Sequence, residues 1–264
     1  MVGGSSSITS NLNSVYSSNS QLLSNALVKL ASGKKFQNAA EDLLGYLKSS
    51  KLKVDISGYQ QVKQDLTEVK AFTSAAVQAG SDMYEKLTEM KNLAAKYDVE
   101  NTKAVKDQDK LDQLTADFDA LKAEVQSIVD NTKVDGKSLT GTTEITSVAL
   151  NPDGTDPLSI KFTADFTGIS TLAITGGAAG VTAEMTEALT YLTESRTFDN
   201  IVDQQVKLAD TIIASKQAVM SLITDVDEAE QMNEVIDLSI RQQAAVSMMA
   251  QGNMLQSSLA KLYE

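Results

Sequence analysis

The chain has 264 residues, of which 35 are acidic and 23 basic, giving a formal net charge of -12, and it contains no Cys and no His. Those absences exclude thiol nucleophiles, disulfides, thiolate zinc sites and imidazole bases, while the acidic balance argues against a phosphate-backbone partner. A hydrophobic content of 42% supplies a core, but 5% aromatics and no Trp suit a helical rod better than a compact catalytic globule. The chain is therefore expected not to be an enzyme and to need no cofactor or metal.

Residues 1–28 carry no charge and are dominated by Ser and Asn, which are mediocre helix formers. Even so, Ile8, Leu12, Val15, Leu22, Ala26 and Leu30 keep a spacing near 3.5 residues. With no basic segment before Lys29 and no continuous apolar run, no cleavable leader is expected. A longer stripe follows, running from Leu52 and Ile56 through Leu66, Phe72, Met83 and Leu87 to Tyr97. As a helix it would extend about 70 Å. The polar stretch from Asp98 to Asp109 is expected to turn the chain back. Leu111, Leu114, Phe118, Leu121, Val125 and Ile128 then mark a second arm.

Both prolines, Pro152 and Pro157, and six of the 14 glycines lie between residues 140 and 183. Asn151-Pro152-Asp153-Gly154 separates two alternating segments and predicts a hairpin, with Pro presetting φ and Gly taking a positive φ. A third arm follows from Met185 through Val202 and Ile213 to Ile223. The C-terminus carries a last seam at Leu238, Ala245, Met248, Leu255, Leu259 and Leu262. The fold expected is mainly α: a long antiparallel coiled-coil helix bundle with a small β-hairpin region at 131–182. The two terminal helices are expected to pair as a coiled coil. One narrow seam on a weak helix recovers too little to offset nucleation and ordering entropy, so the ends gain order on assembly. The alternative is that both are frayed tails. The densest apolar run, residues 244–250, is far too short to cross a bilayer.

Candidate chemistry fails on inspection. Val134-Asp135-Gly136-Lys137-Ser138 resembles the end of a phosphate loop, but Asn131 stands five residues before Gly136, where the first Gly belongs. Lys133 and Thr142 occupy ligand positions in any calcium-loop reading of 131–142. The acidic run Asp225, Asp227, Glu228 and Glu230 reads as the dipole-favoured start of the last helix. Met248, Met249 and Met254 suit adaptable packing at a subunit seam better than metal binding.

Residues 29–45, Lys-Leu-Ala-Ser-Gly-Lys-Lys-Phe-Gln-Asn-Ala-Ala-Glu-Asp-Leu-Leu-Gly, resemble the N-terminal signature of bacterial flagellins. Leu30, Ser32, Gly33, Lys35, Ala39, Glu41, Asp42 and Gly45 fall on that pattern without a gap. Val226-Asp227-Glu228-Ala229-Glu230, Gln242-Gln243-Ala244 and Ala250-Gln251-Gly252-Asn253 are similar to the C-terminal signature. The resemblance implies an extracellular filament subunit for motility, exported through the flagellar type III pathway. Residues 1–45 and 226–264 would form the two halves of an inner assembly domain, and 46–225 the rod core. The seam residues named above, with Ser32, Gly33, Lys35, Ala39, Asp42 and Gly45, would carry subunit assembly.

The resemblance further implies that the partners are copies of the chain itself, an export chaperone, and filament cap or junction proteins, with no nucleic acid and no membrane. Glu89, Leu93 and Asp117 correspond to the surface gripped by an innate immune Toll-like receptor. Glu89 stands where receptor-stimulating flagellins have Arg, so weak activation is expected. The competing readings are a hook–filament junction protein, which would not elongate without limit, and a secreted helical binding module or effector, which would stay monomeric.

Overall fold

The computed structural model describes residues 3–134, 136–140 and 144–262, with side chains for 10–134, 136–140, 147–255 and 257–258. In chain order the elements are α1 (Gly3–Ser32), α2 (Leu43–Asn101), α3 (Gln108–Asn131), β1 (Lys133–Val134), β2 (Lys137–Ser138), β3 (Glu144–Ala149) and β4 (Pro157–Lys161). Two 3-10 turns, Thr167–Thr171 and Ile174–Gly176, precede α4 (Gly177–Thr224) and α5 (Glu228–Leu262). The fold is mainly α with a small β region, as the sequence predicts; among the described residues that region holds two antiparallel strand pairs. Two compact units divide it: residues 55–214, and residues 1–54 together with 215–264, so that α2 and α4 each contribute to both.

Within residues 55–214 the core is the long stripe of α2. Leu66, Met83, Leu87, Met90 and Ala94 are essentially sealed from solvent. Each large side chain among them contributes roughly 1.5–3 kcal/mol relative to exposure. They pack with Leu114, Phe118 and Val125 of α3 and with Val181, Ala188, Tyr191 and Val202 of α4. The direction of α4 against α2 is fixed by cross-links that descend on one helix as they ascend the other. Lys63 pairs with Asp210 at 2.6 Å and Lys70 with Asp203 at 2.6 Å, and the Thr73 hydroxyl donates to Asp199. These two helices are therefore antiparallel.

The turn between α2 and α3 lies where the polar stretch predicts it. Asp107 caps α3 by accepting the backbone N–H of Lys110 at 3.2 Å. Glu100, buried at the end of α2, accepts from Lys103 at 2.7 Å and Lys110 at 2.8 Å. Those two hydrogen bonds hold its carboxyl well below the usual range, at about 2.

The insert carries the predicted hairpin. β3 and β4 pair Thr146 with Ile160 and Val148 with Leu158, and Gly154 takes φ 80° in the connecting loop. Pro152 of that loop lies over Gly58 of α2, where any Cβ would stand 2.6 Å from the Pro152 Cβ. Phe162 and Phe166 meet Tyr191 edge-on at centroid distances of 4.7 and 5.5 Å. The buried Tyr191 hydroxyl donates to the Leu139 carbonyl at 3.0 Å, and burial raises its pKa.

Candidate assembly surface

The unit formed by residues 1–54 and 215–264 is built on the pairing of α1 with α5. The helices are antiparallel. Asn19 donates from its side-chain amide to the Leu238 carbonyl at 3.3 Å, and Ala26 and Lys29 line a cleft of about 290 Å³ with Gln231 and Glu234. Burial follows an alternation of four and three residues, with Ser20, Lys29 and Ser239 beside it also half-buried. On α1 the alternating positions are Leu12, Tyr16, Asn19, Leu23, Ala26 and Leu30; on α5 they are Gln231, Val235, Leu238, Gln242, Ala245 and Met249. This is the coiled-coil heptad.

The expected seam residues divide between two faces. Leu12 and Leu30 are half-buried, and Leu238 and Ala245 are buried, in the α1–α5 pair. Val15, Leu22, Met248 and Leu255 point away from it, each more than half exposed. The side chains of Ile8, Leu259 and Leu262 lie outside the described residues. Tyr16, Asn19 and Leu23 were not among the expected seam residues. Their signal is the 4-3 alternation itself, which an apolar count misses because Asn19 is polar and neighbouring Val15 and Leu22 imitate the same period.

The signature residues build the connection from α1 to α2. The Ser32 hydroxyl donates to the Lys29 carbonyl and accepts the Lys34 N–H, and Gly33 takes φ 67°, the left-handed conformation that ends a helix. The Lys35 N–H then donates to the Thr224 carbonyl at 2.7 Å, and the Val226 N–H donates to the Gly33 carbonyl at 3.0 Å. The Lys34 ammonium lies 2.5 Å from the Asp225 carboxylate, which it holds, with help from the Ser221 and Thr224 hydroxyls, at a pKa of about 2. Ala39 is half-buried in the following loop. Asp42 accepts the Gly45 N–H at 2.9 Å and so starts α2. Gly45 is buried because Phe36 and the Asp42 carboxylate close over it, leaving no room for a Cβ. At the other end Asp227 accepts the N–H groups of Ala229 and Glu230, with Glu228 and Glu230 in the first turn of α5. The acidic run is a helix start.

Glu89, Leu93 and Asp117 all line one open groove of about 470 Å³ between α2 and α3, together with Asn92, Lys96, Ala120 and Leu121. Glu89 and Asp117 are exposed and Leu93 is half-buried. Among the described residues, no group of three or more His, Cys, Asp or Glu is arranged to hold a metal ion, and no helix is long and apolar enough to cross a membrane.

Residues 5–143 match the family of the bacterial flagellin N-terminal helical region. Along 250 residues, 90% of each chain, the protein is 26% identical to a flagellin of Halalkalibacterium halodurans. With the family match covering more than half of its length, the chain belongs to the bacterial flagellin family.

Proposed function

We propose that the chain, a structural subunit of the extracellular flagellar filament, polymerises through its terminal helices. The observation that supports this most is the second apolar face of the α1–α5 pair. With one face of each helix already engaged in the heptad seam, Val15 and Leu22 on α1 and Met232, Ile236, Ile240 and Met248 on α5 remain largely exposed. Exposed apolar stripes of this extent suit burial against neighbouring copies. Where that exposed surface meets a different patch on the next copy, the contact is heterologous, and a heterologous contact whose rotation does not close generates an open helical polymer.

The same surface is the one an export chaperone would cover before assembly and a cap or junction protein would meet at the filament end. Export through the flagellar type III route accords with a terminal pair that holds few buried apolar residues and is readily unravelled. The groove at Glu89, Leu93 and Asp117 is a receptor-facing site of low potency, because the Glu89 carboxylate adds negative charge beside Asp117.

The test is seeded elongation. Purified full-length chain, mixed with sonicated filament fragments, elongates without limit under electron microscopy, and removal of residues 1–32 abolishes growth. A chain that only blocks seed ends would be a junction protein. One that stays monomeric at high concentration would refute polymerisation.

A further inference from the structure

The charge of the chain is unevenly distributed. Residues 1–54 and 215–264 hold nine basic and nine acidic residues, so residues 55–214 carry the whole net charge of -12. Within the neutral unit, the first twelve residues of α2, Leu43 to Val54, contain Lys48, Lys51 and Lys53 and no acid. On this segment the inward positions are Gly45, Ser49 and the half-buried Leu52. Opposite them runs a stripe of Leu43, Leu47, Ser50 and Val54, with Leu43 61%, Leu47 57% and Val54 68% exposed. Helical geometry sets Lys51 along one flank of that stripe and Lys53 along the other, with Lys48 one turn before Lys51 and further round the helix. No ion pair among the described residues engages these three lysines.

A surface of matching period and opposite charge occurs on α3. Its inward face, Leu114, Phe118, Leu121 and Val125, is committed to the core. Its outward face presents Ala116, Ala120, Ala123 and Ser127, all exposed. Those four repeat the i, i+4, i+7, i+11 spacing of Leu43, Leu47, Ser50 and Val54, over the same length of about 17 Å. Small side chains leave shallow holes into which large apolar knobs fit at close helix separation. Acids flank this stripe: Asp112, Asp119 and Asp130 on one side, Asp117 and Glu124 on the other. Asp112, Asp117 and Asp130 accept hydrogen bonds from glutamines four residues earlier, which leaves their charge uncompensated.

We infer that the Leu43–Val54 face of one copy docks onto the Ala116–Ser127 face of α3 in a second copy, with the positive charge of Lys51 and Lys53, reinforced by Lys48, set against Asp112, Asp117 and Asp130; Asp119 already pairs with Lys122. This contact deepens the filament reading above and rests on it, but it lies apart from the terminal helices. It joins two different surfaces and therefore propagates.

The experiment measures the concentration of unpolymerised chain left at the end of seeded growth. Three full-length variants are compared with the wild type: Lys48→Glu/Lys51→Glu/Lys53→Glu, Asp112→Lys/Asp117→Lys/Asp130→Lys, and the six substitutions combined. All six side chains are exposed, so each variant should melt like the wild type by circular dichroism. Each triple variant is expected to raise the residual soluble concentration at least about tenfold at low salt, with the difference shrinking in high salt. The combined variant, whose net charge equals that of the wild type, is expected to elongate nearly normally. A lysine variant that grows like the wild type, or a combined variant no better than either triple, overturns the contact and leaves the filament reading intact. A wild type that fails to elongate overturns the filament reading and the contact with it.

Discussion

Replacing Leu238 by Ala separates what holds the terminal helices together within one molecule from what joins molecules. Leu238 is 5% exposed, and its backbone carbonyl receives the Asn19 amide, so it lies at the centre of the α1–α5 pair. The other buried apolar residues of the pair, Ala26 and Ala245, are small, so little apolar bulk is at hand to fill the space left. The change should cost about 2–4 kcal/mol, within the usual range for deleting a buried Leu side chain. Each 1.4 kcal/mol is tenfold in an equilibrium constant. Local opening of the pair should therefore rise by between about one and a half and three powers of ten, up to the limit set by an unpaired helix. The assay is amide hydrogen exchange on dilute, unpolymerised chain, read at residues 231–245 and at 16–26. Val15→Ala is the control: Val15 is 56% exposed, so monomer exchange should shift by less than about 0.5 kcal/mol, while seeded elongation weakens. If Leu238→Ala and Val15→Ala give the same exchange profile, or if Leu238→Ala leaves α1 unaffected, the assignment of the two faces is wrong.

Gly45→Ala should force Phe36 and the Asp42 cap apart, at about 1–3 kcal/mol, and speed amide exchange at 45–50; an unchanged melt and exchange pattern would contradict the close packing. Tyr191→Phe strips the hydroxyl from the buried Leu139 carbonyl and should lower stability by about 1–2 kcal/mol in urea titration without altering the slope. Because the Glu100 carboxyl is lowered from 4.5 to about 2, its contribution is complete above pH 4.5 and is lost as pH falls towards 2. The gap in melting temperature between wild type and Glu100→Gln should therefore close across that window. A gap that stays constant from pH 7 to pH 2.5 would show that the charge on Glu100 is irrelevant.

Much of the helical scaffold was legible because its signals are local and repeated. The α2 stripe from Leu52 to Tyr97 has one period over many turns, and the Asn151–Gly154 turn combines two residues with fixed backbone preferences. The same logic blurred the terminal seam. Leu12, Val15 and Leu22 all fit a spacing near 3.5, but Val15 and Leu22 lie on the other face, because the true seam passes through the polar Asn19. Polar seam positions are invisible to an apolar count. The role of Gly58 was not legible either. It depends on Pro152, nearly a hundred residues away, and no local pattern announces such an approach. Asp42 and Gly45 were identified by resemblance, and only the structure shows that one caps α2 while the other yields space to Phe36.

The backbone bonds between Gly33–Lys35 and Thr224–Val226 bear on how the terminal pair moves. The path from α1 to α2 is ten residues long, 33–42, while the path from α4 to α5 is only three, 225–227. Left to itself the longer path would let α1 wander widely. Stitched to the shorter one by two main-chain hydrogen bonds and the Lys34–Asp225 ion pair, it inherits the tighter tether. The two connectors are thus joined into one double strap, which ties the end of α1 and the start of α5 at the same place.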